Sequence, residues 1–532
     1  MAPLGHGSGS LTRIPALLFG VVLNNPVATV AACILLWYIT TAIWSIYHLR
    51  NVPGPWLAKF SYLWYGRTTY SGRQYYVHRD LHKQYGPLVR VAPNEVLTDD
   101  PDIVKMMSAA RGTYSRGTWY LTGRFNPYHD NMFTILEPKA HSQARARKVG
   151  GYSGRDIPSL ESNIGELVTT LVDVIRRKYA RPSSVGSPPT YLDLGSITNY
   201  FTLDVITRLA FGQEMGYLQD DTDHFDFFRI VRSLWPQMST SADVPWIRKL
   251  LFSKPVLRLV GPKSTDKNGF GALMRVAEEQ VQKRFDAGVD AKKDMIGSFI
   301  RNGCNQQECE VEGLFMIVGG TESTASALRC ILTHIMTCPR VYQRLIAEIA
   351  EAVASNKVSS PITVEQAKSL PFLQAAIYEG IRMRPPLLGV FPKVVPAAGV
   401  EIAGHFLPAG TNVGMNMSAM LRSTVMFGLD SDMYRPERFM ELEKVDRTRM
   451  ERNVELAFGH GLNMCVGKTI AFMELNKAVF ELLRAFDLQL VNPMKPCDSV
   501  VYGIFLETNL MVRVTERNVE KSTGNGQLGK GL

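Results

Sequence analysis

The sequence predicts a mainly α-helical protein with a small β portion, held to a membrane by one N-terminal helix. Three observations carry this reading. Apolar residues recur at three-to-four spacing over Tyr191–Phe211, Leu273–Arg301, Gly313–Met336 and Thr469–Phe486, the period of helices with one buried face. Strand-like alternation is confined to short runs, of which residues 86–96 are the plainest. Ahead of both lies a stretch, Ile14 to Tyr47, with no charged residue. A chain of 532 residues that is 45% hydrophobic and 20% charged can bury a large core, which excludes a disordered protein.

In chain order, residues 1–26 form a lumenal or interfacial segment, closed by the helix-breaking Asn24-Asn25-Pro26. Residues 27–47 form the transmembrane anchor, because a helix of that length covers about 30 Å of hydrocarbon. Arg50, Lys59 and Arg67 follow the span and Arg13 precedes it, so the positive-inside rule places the body in the cytosol. Residues 48–56 contain Val52-Pro-Gly-Pro-Trp56, a stiff proline hinge that ends the membrane helix. Residues 57–515 form one large body, interrupted by a Pro- and Ser-rich surface loop at residues 181–189. Within it, residues 234–260 mix Trp235, Trp246 and Leu250 with Arg248, Lys249 and Lys254, as an interfacial segment does. Residues 516–532 are polar and Gly-rich, which predicts a disordered tail.

Seven scattered cysteines without a CxxC pair exclude a disulfide framework and indicate a reducing compartment. The net charge of +10 fits anionic lipid or an acidic protein partner. No basic patch is interleaved with aromatics, which speaks against nucleic acid.

The chemistry concentrates in Phe458-Gly-His-Gly-Leu-Asn-Met-Cys-Val-Gly467, where a cysteine sits in a glycine-rich turn that opens into an apolar helical run. A helix N-terminus offers unpaired N–H groups and partial positive charge, which lowers a thiol's pKa and suits a thiolate ligand. Gly461 and Gly467 allow close backbone approach, and Phe458 supplies an apolar wall against water. The nearest other cysteines, Cys338 and Cys497, are too distant for a zinc knuckle or an iron–sulfur spacing. His460 is read as a loop residue.

The turn resembles the Phe-x-x-Gly-x-Arg-x-Cys-x-Gly signature of the cytochrome P450 family, with Asn463 at the arginine position. The resemblance, which extends over residues 49–515, implies haem b (iron protoporphyrin IX) with Cys465 as axial iron ligand. Phe458, Gly461, Asn463 and Gly467 would frame it. His141-Ser-Gln-Ala-Arg145 is similar to a fungal form of the family's Trp-x-x-x-Arg helix, so His141, Arg145 and Lys393 would meet the haem propionates. Glu379-x-x-Arg382 followed by Arg435-Pro-Glu-Arg438-Phe resembles the family's buried charge network, a structural feature made by Glu379, Arg382 and Arg438.

Gly319-Gly320-Thr-Glu-Ser-Thr324 interrupts a long helical pattern, and each mid-helix glycine costs about 1 kcal/mol relative to alanine. Such a pair belongs where something must approach the backbone. The segment resembles the family's Ala/Gly-Gly-x-Asp/Glu-Thr motif, which implies a kinked helix over an oxygen pocket, with Glu322 and Ser323 passing protons inward. Ser323 stands where threonine is usual. Thr324, one position on, points about 100° away around the helix and is not expected to replace it. By analogy with the family's variable segments, the substrate walls would come from Trp119 to Phe125, from Phe315 and Val318, from Leu387 to Val390 with Leu388 foremost, and from Val501 to Phe505 with Ile504 foremost, around a bulky hydrophobic molecule.

These resemblances imply a monooxygenase of the fungal, membrane-anchored type that serves secondary metabolism of terpenoids, alkaloids or polyketides. It would be a single-pass protein of the endoplasmic reticulum membrane that hydroxylates or epoxidises its substrate. The chain has no dinucleotide G-x-G-x-x-G motif after a strand, so electrons would come from NADPH–cytochrome P450 reductase, with cytochrome b5 as a second donor. Two alternatives stay open: a haem–thiolate isomerase or dehydratase that needs no external electrons, and a non-catalytic haem binder.

Overall fold

The computed structural model describes residues 26–109, 112–180, 190–288 and 292–517. The segment ahead of Pro26, the loop at 181–189 and the tail from residue 518 onward lie outside the described residues.

The principal helices are α1 (Pro26–His48), α2 (Pro138–Tyr152), α3 (Leu194–Phe211), α4 (Phe227–Asp243), α5 (Pro245–Leu251), α6 (Lys254–Val260), α7 (Gly269–Ala287), α8 (Met295–Arg301), α9 (Gln306–Thr337), α10 (Pro371–Met383) and α11 (Lys468–Ala485). Helix α9, 32 residues long, is the central one, and α3, α7, α10 and α11 all pack on it. Its first turn lies ahead of the predicted start at Gly313. There, Asn305 and Glu308 form a capping box that holds the polar residues 306–310 in helix.

The glycine pair does not interrupt α9, which runs through Gly319 and Gly320 as continuous helix. Gly320 is closely packed: a Cβ there would lie 3.0 Å from Ile206 Cγ1 on α3, so a larger residue needs that side chain to give way. Gly319 faces open space, its nearest such neighbour being Phe315 at 3.8 Å. The hydroxyls of Thr321 and Ser323 donate to the carbonyls of Ile317 and Gly319, so these side chains satisfy themselves along the helix. The predicted helix Leu273–Arg301 is two helices. Gly288, at φ +91°, follows the end of α7, and Asp294 caps α8 by accepting from Gly297 N at 2.8 Å.

The predicted strands at 86–96 are β1 (Leu88–Ala92) and β2 (Glu95–Thr98), an antiparallel pair. With β3 (Ser115–Arg116), β5 (Lys393–Val394) and β8 (Asn412–Met415) they form a sheet of order β1-β2-β8-β5-β3, in which β2 and β8 are parallel. The register sets Arg116 directly opposite Lys393. Three smaller sheets complete the β portion: β4 (Leu192–Asp193) and β9 (Phe486–Leu490) flank β12 (Met511–Glu516), β6 (Val400–Ile402) pairs with β7 (His405–Leu407), and β10 (Asp498–Val501) and β11 (Phe505–Thr508) form a hairpin.

Helix α1 is exposed along most of its length, and its C-terminal end meets the body through Ser45, whose hydroxyl donates to Lys59 O at 2.9 Å, through buried Leu49 and above all through Arg90. Arg90 on β1 is fully buried and meets backbone carbonyls in place of a carboxylate. Its Nη2 donates to Ser45 O (2.7 Å), Lys59 O (2.8 Å) and Pro93 O (2.8 Å), and its Nη1 to Leu49 O (3.3 Å). A helix leaves its last carbonyls without intrahelical donors, and a guanidinium with five N–H groups can serve several at once. The proline segment lies against the same strand: Arg90 N donates to Pro53 O at 2.8 Å, and a Cβ on Gly54 would fall 2.1 Å from Arg90 O.

Candidate active site

The turn before α11 places Cys465. Its N–H donates to Phe458 O at 2.6 Å, which closes the loop on itself. Gly461 has φ +57°, and a Cβ there would lie 2.2 Å from Ser108 O, so only glycine fits. Phe458 packs at a tilt against Phe472 of α11, ring centroids 5.4 Å apart, and lines the cavity beside the thiol. Cys465 is enclosed by protein on the scale of the fold, while its side chain is bare toward the cavity it floors.

Burial pushes the Cys465 thiol up, and this outweighs the opposing pull of the Gly467 and Lys468 N–H groups and of the Arg145 and Lys468 charges. The pull of the helix N-terminus acts in the expected direction and is smaller than the desolvation cost. A metal cation at the sulfur supplies what is missing, since a coordinating thiol is deprotonated outright.

The cavity has about 1640 Å³ of atom-free space including its open mouth. Arg116, His141, Arg145, Lys393 and Asn463 line it together. Arg145 Nη1 donates to Met464 O at 2.7 Å, and Arg116 Nε to Asn463 Oδ1 at 2.9 Å. Arg116 and Lys393 both lie over the Tyr120 ring, at 4.6 and 5.5 Å. Like charges directly opposite across two strands destabilise a sheet. Lys393 is moreover buried, and its Nζ has no hydrogen-bond partner. Burial and the Arg116 charge pull its pKa down to about 7. Burial and the surrounding cations bring His141 to about 3, which makes it a neutral ring here. Such a cluster fits an anionic group that enters the cavity, and the two propionates of haem are such groups.

Sequence reasoning missed Arg116. Its signal was the strand register that pairs it with Lys393, which is visible only once β3 and β5 are known.

Gly319, Gly320, Ser323 and Thr324 of α9 line the same cavity. Thr324 is thus brought to the cavity together with Ser323, against the expectation that it faces elsewhere: the wall is wide enough to take in two successive positions. Glu322 is turned away from the cavity. It forms a buried ion pair with Arg329, whose Nε donates to Glu507 Oε2 at 2.8 Å and whose Nη1 donates to Asn199 Oδ1 at 2.7 Å.

Of the six predicted wall residues, Phe315 lines the cavity. Trp119 is turned aside, with Nε1 donating to Asp243 Oδ1 at 3.1 Å, and Phe125 is stacked in the core on Phe270. Val318, Leu388 and Ile504 pack into the protein on the reverse faces of their segments. Tyr120 and Leu387, from the predicted segments Trp119–Phe125 and Leu387–Val390, line the cavity as well, and Phe133, Ile206 and Phe391 complete the apolar wall.

Behind the cavity, Glu379 accepts from Arg382 at 2.7 and 2.8 Å, from Arg438 Nε at 2.9 Å and from Arg435 N at 2.8 Å. Arg382 also donates to Leu421 O and Ser431 O, and Arg438 to Asp430. The three predicted members therefore meet, fully buried and hydrogen-bonded.

A central helix over a cavity, a single thiol on its floor and a wall of cations for two carboxylates define a haem–thiolate protein. The chain belongs to the cytochrome P450 family, whose model matches residues 51–510. It is 64% identical over 469 residues to cytochrome P450 monooxygenase aba1 of Botryotinia fuckeliana, which covers 88% of this chain and 92% of that protein. Cytochrome P450 monooxygenase abl1 of Leptosphaeria maculans is 57% identical over 472 residues, 88% of this chain and 83% of that one. Cytochrome P450 monooxygenase ABA1 of Pyricularia oryzae is 39% identical over 483 residues, 90% and 94% of the two chains. The protein is accordingly a cytochrome P450 monooxygenase with a cysteine-ligated haem.

Proposed function

We propose that this monooxygenase hydroxylates or epoxidises a bulky, hydrophobic small molecule of fungal secondary metabolism, with electrons from NADPH–cytochrome P450 reductase. Bound haem supplies the activation of O2, with a thiolate that favours O–O cleavage. This chain's own residues do the rest. Cys465 would hold the iron, while Arg116, Arg145 and Lys393 would take the propionates, with Asn463 and neutral His141 beside them. Phe315 and the walls around Tyr120, Phe133 and Phe391 exclude water and orient an apolar substrate. Gly319 leaves room beside α9, and the Ser323 and Thr324 hydroxyls offer proton relays there.

The observation that carries this reading is the cation cluster, with orphaned Lys393 Nζ, in one cavity with the Cys465 thiol. The body, residues 57–515, would sit on the cytosolic face of the endoplasmic reticulum, anchored by residues 27–47 and joined through 48–56. The exposed helix α1, long and apolar enough to span, supports this placement.

The reduced, carbon monoxide-bound protein is expected to absorb at about 450 nm, and Cys465→His to move the band toward about 420 nm. A wild-type maximum at the shorter wavelength in fresh, active membranes overturns thiolate ligation. NADPH dependence of product formation separates the monooxygenase from an isomerase. Comparison of metabolites in a producing strain and its deletion strain names the substrate.

A further inference from the structure

Arg116 stands directly opposite Lys393 across two strands, and like charges so placed drive the side chains apart. Its guanidinium stays in the cavity because the turn at residues 131–135 holds it. Nη1 donates to Met132 O (3.3 Å), Phe133 O (3.0 Å) and Ile135 O (3.3 Å), while Nε donates to Asn463 Oδ1 at 2.9 Å. Nη2 meets no protein acceptor among the described residues, which leaves it for an anion that enters the cavity.

Three carbonyls converge on one nitrogen only where the turn itself is fixed. Within it, Asn131 Oδ1 accepts from Phe133 N (3.0 Å) and Thr134 N (3.1 Å), and Asn131 Nδ2 donates to Gly123 O at 2.9 Å. Met132 N is held from outside the turn: it donates to Glu312 Oε2 on α9 at 3.0 Å. The same carboxylate accepts from two groups of α2, Lys148 Nζ at 2.7 Å and Tyr152 OH at 3.2 Å. Glu312 and Lys148 are both fully buried, and neither lines the cavity. A Glu–Lys pair between two helices has no need of a backbone N–H from a third segment. The Met132 bond is what connects this pair to the site.

We propose that Glu312 is a positioning residue of the haem pocket, pinning the turn at 131–135 whose carbonyls aim Arg116 at a propionate. The proposal rests on the reading of Arg116 as a propionate ligand. Glu312 touches neither haem nor substrate, so its effect passes through Met132 N, the turn and the guanidinium in that order.

The test is haem transfer from the full chain to a scavenging apoprotein, with the carbon monoxide band recorded on the same samples to establish the ligation in each. Two sets of substitutions are compared, both carrying Lys148→Met and Tyr152→Phe so that no buried charge or hydroxyl is stranded. The set with Glu312→Gln keeps an oxygen for Met132 N, and the set with Glu312→Leu removes it. Transfer is expected to be about three to ten times faster with Glu312→Leu, the range of one neutral hydrogen bond. The difference should vanish when Arg116→Gln is added to both sets and survive when Arg145→Gln is added instead. Equal rates in the two sets overturn the proposal. So does a difference that survives Arg116→Gln, which would make Glu312 a general brace of the fold. If the Glu312→Leu set takes up no haem, Glu312→Asp decides, since it keeps a carboxylate for Lys148 and draws it back one methylene from Met132. A rate equal to wild type, or a gain unchanged by Arg116→Gln, then overturns the proposal. Arg116→Gln alone separates premise from proposal: an unchanged rate there removes Arg116 from the propionate site and the proposal with it, whereas a raised rate beside equal sets removes Glu312 only.

Discussion

At the scale of single residues, the cavity is built on charge without a counter-charge. Lys393 is held to about 7 by burial and by Arg116, whereas a bound carboxylate favours its ammonium. Haem uptake should thus take up a proton above that pH. The sign is fixed: affinity is constant below about 7 and falls as pH rises, until the pKa of the occupied site is passed. Lys393→Met should flatten this dependence. Lys393→Met and Arg116→Gln should each speed haem transfer to a scavenging apoprotein by roughly 10- to 100-fold, the worth of one hydrogen bond to a charged group. Equal transfer rates in Arg116→Gln and wild type would remove Arg116 from the propionate site. Individual ligands such as Cys465 and Lys393 are legible in the sequence because their motifs are local. Arg116 and Glu312 are not, since strand pairing places the one and contacts between distant segments place the other, which spacing alone does not encode.

At the scale of elements, periodicity located the long helices, and capping groups set their ends. The capping box at Asn305 lengthens α9, and Gly288 with Asp294 divides what reads as one helix into two. The glycine pair of α9 reads as an interruption, because helix propensity counts the cost of Gly319 and Gly320 but not the close packing of Ile206 on one of them. Which residues of the predicted wall segments reach the cavity follows from a related cause. Alternation of faces within a segment puts Tyr120 in the cavity and Trp119 behind it, a choice fixed by the Asp243 hydrogen bond of Trp119. The joint between α10 and the Arg435–Phe439 segment depends on Glu379 alone as the carboxylate that faces both Arg382 and Arg438. Glu379→Ala strands two buried guanidinium groups and should cost roughly 3–5 kcal/mol. Thermal or denaturant unfolding measures this, and a loss below about 1 kcal/mol would mean that Asp430 and the carbonyls suffice.

At the scale of the whole molecule, the anchor and the body are read as separable, with the proline segment as a hinge between them. Removal of residues 1–44 should abolish carbonate-resistant membrane integration and leave a haem-binding body, because α1 supplies the one span among the described residues. Peripheral contact should persist through exposed Trp246 and Leu250 on α5 and Leu259 and Val260 on α6, the part of the expected interfacial stretch that stays at the surface, whereas Arg248 is buried and Trp235 donates inward to Tyr502 O. A cut at residue 49 should be less stable than a cut at 44, since it takes Ser45 O and Leu49 O away from Arg90. The same guanidinium bears on motion. A body on a free tether wobbles within a wide cone, whereas one bolted to its helix by carbonyl bonds turns only as fast as the helix turns in the lipid. Time-resolved anisotropy of the haem domain in vesicles should show one slow rotation in the wild type and an added fast component in Arg90→Ala, so that the entrance of the cavity keeps a fixed heading relative to the bilayer plane.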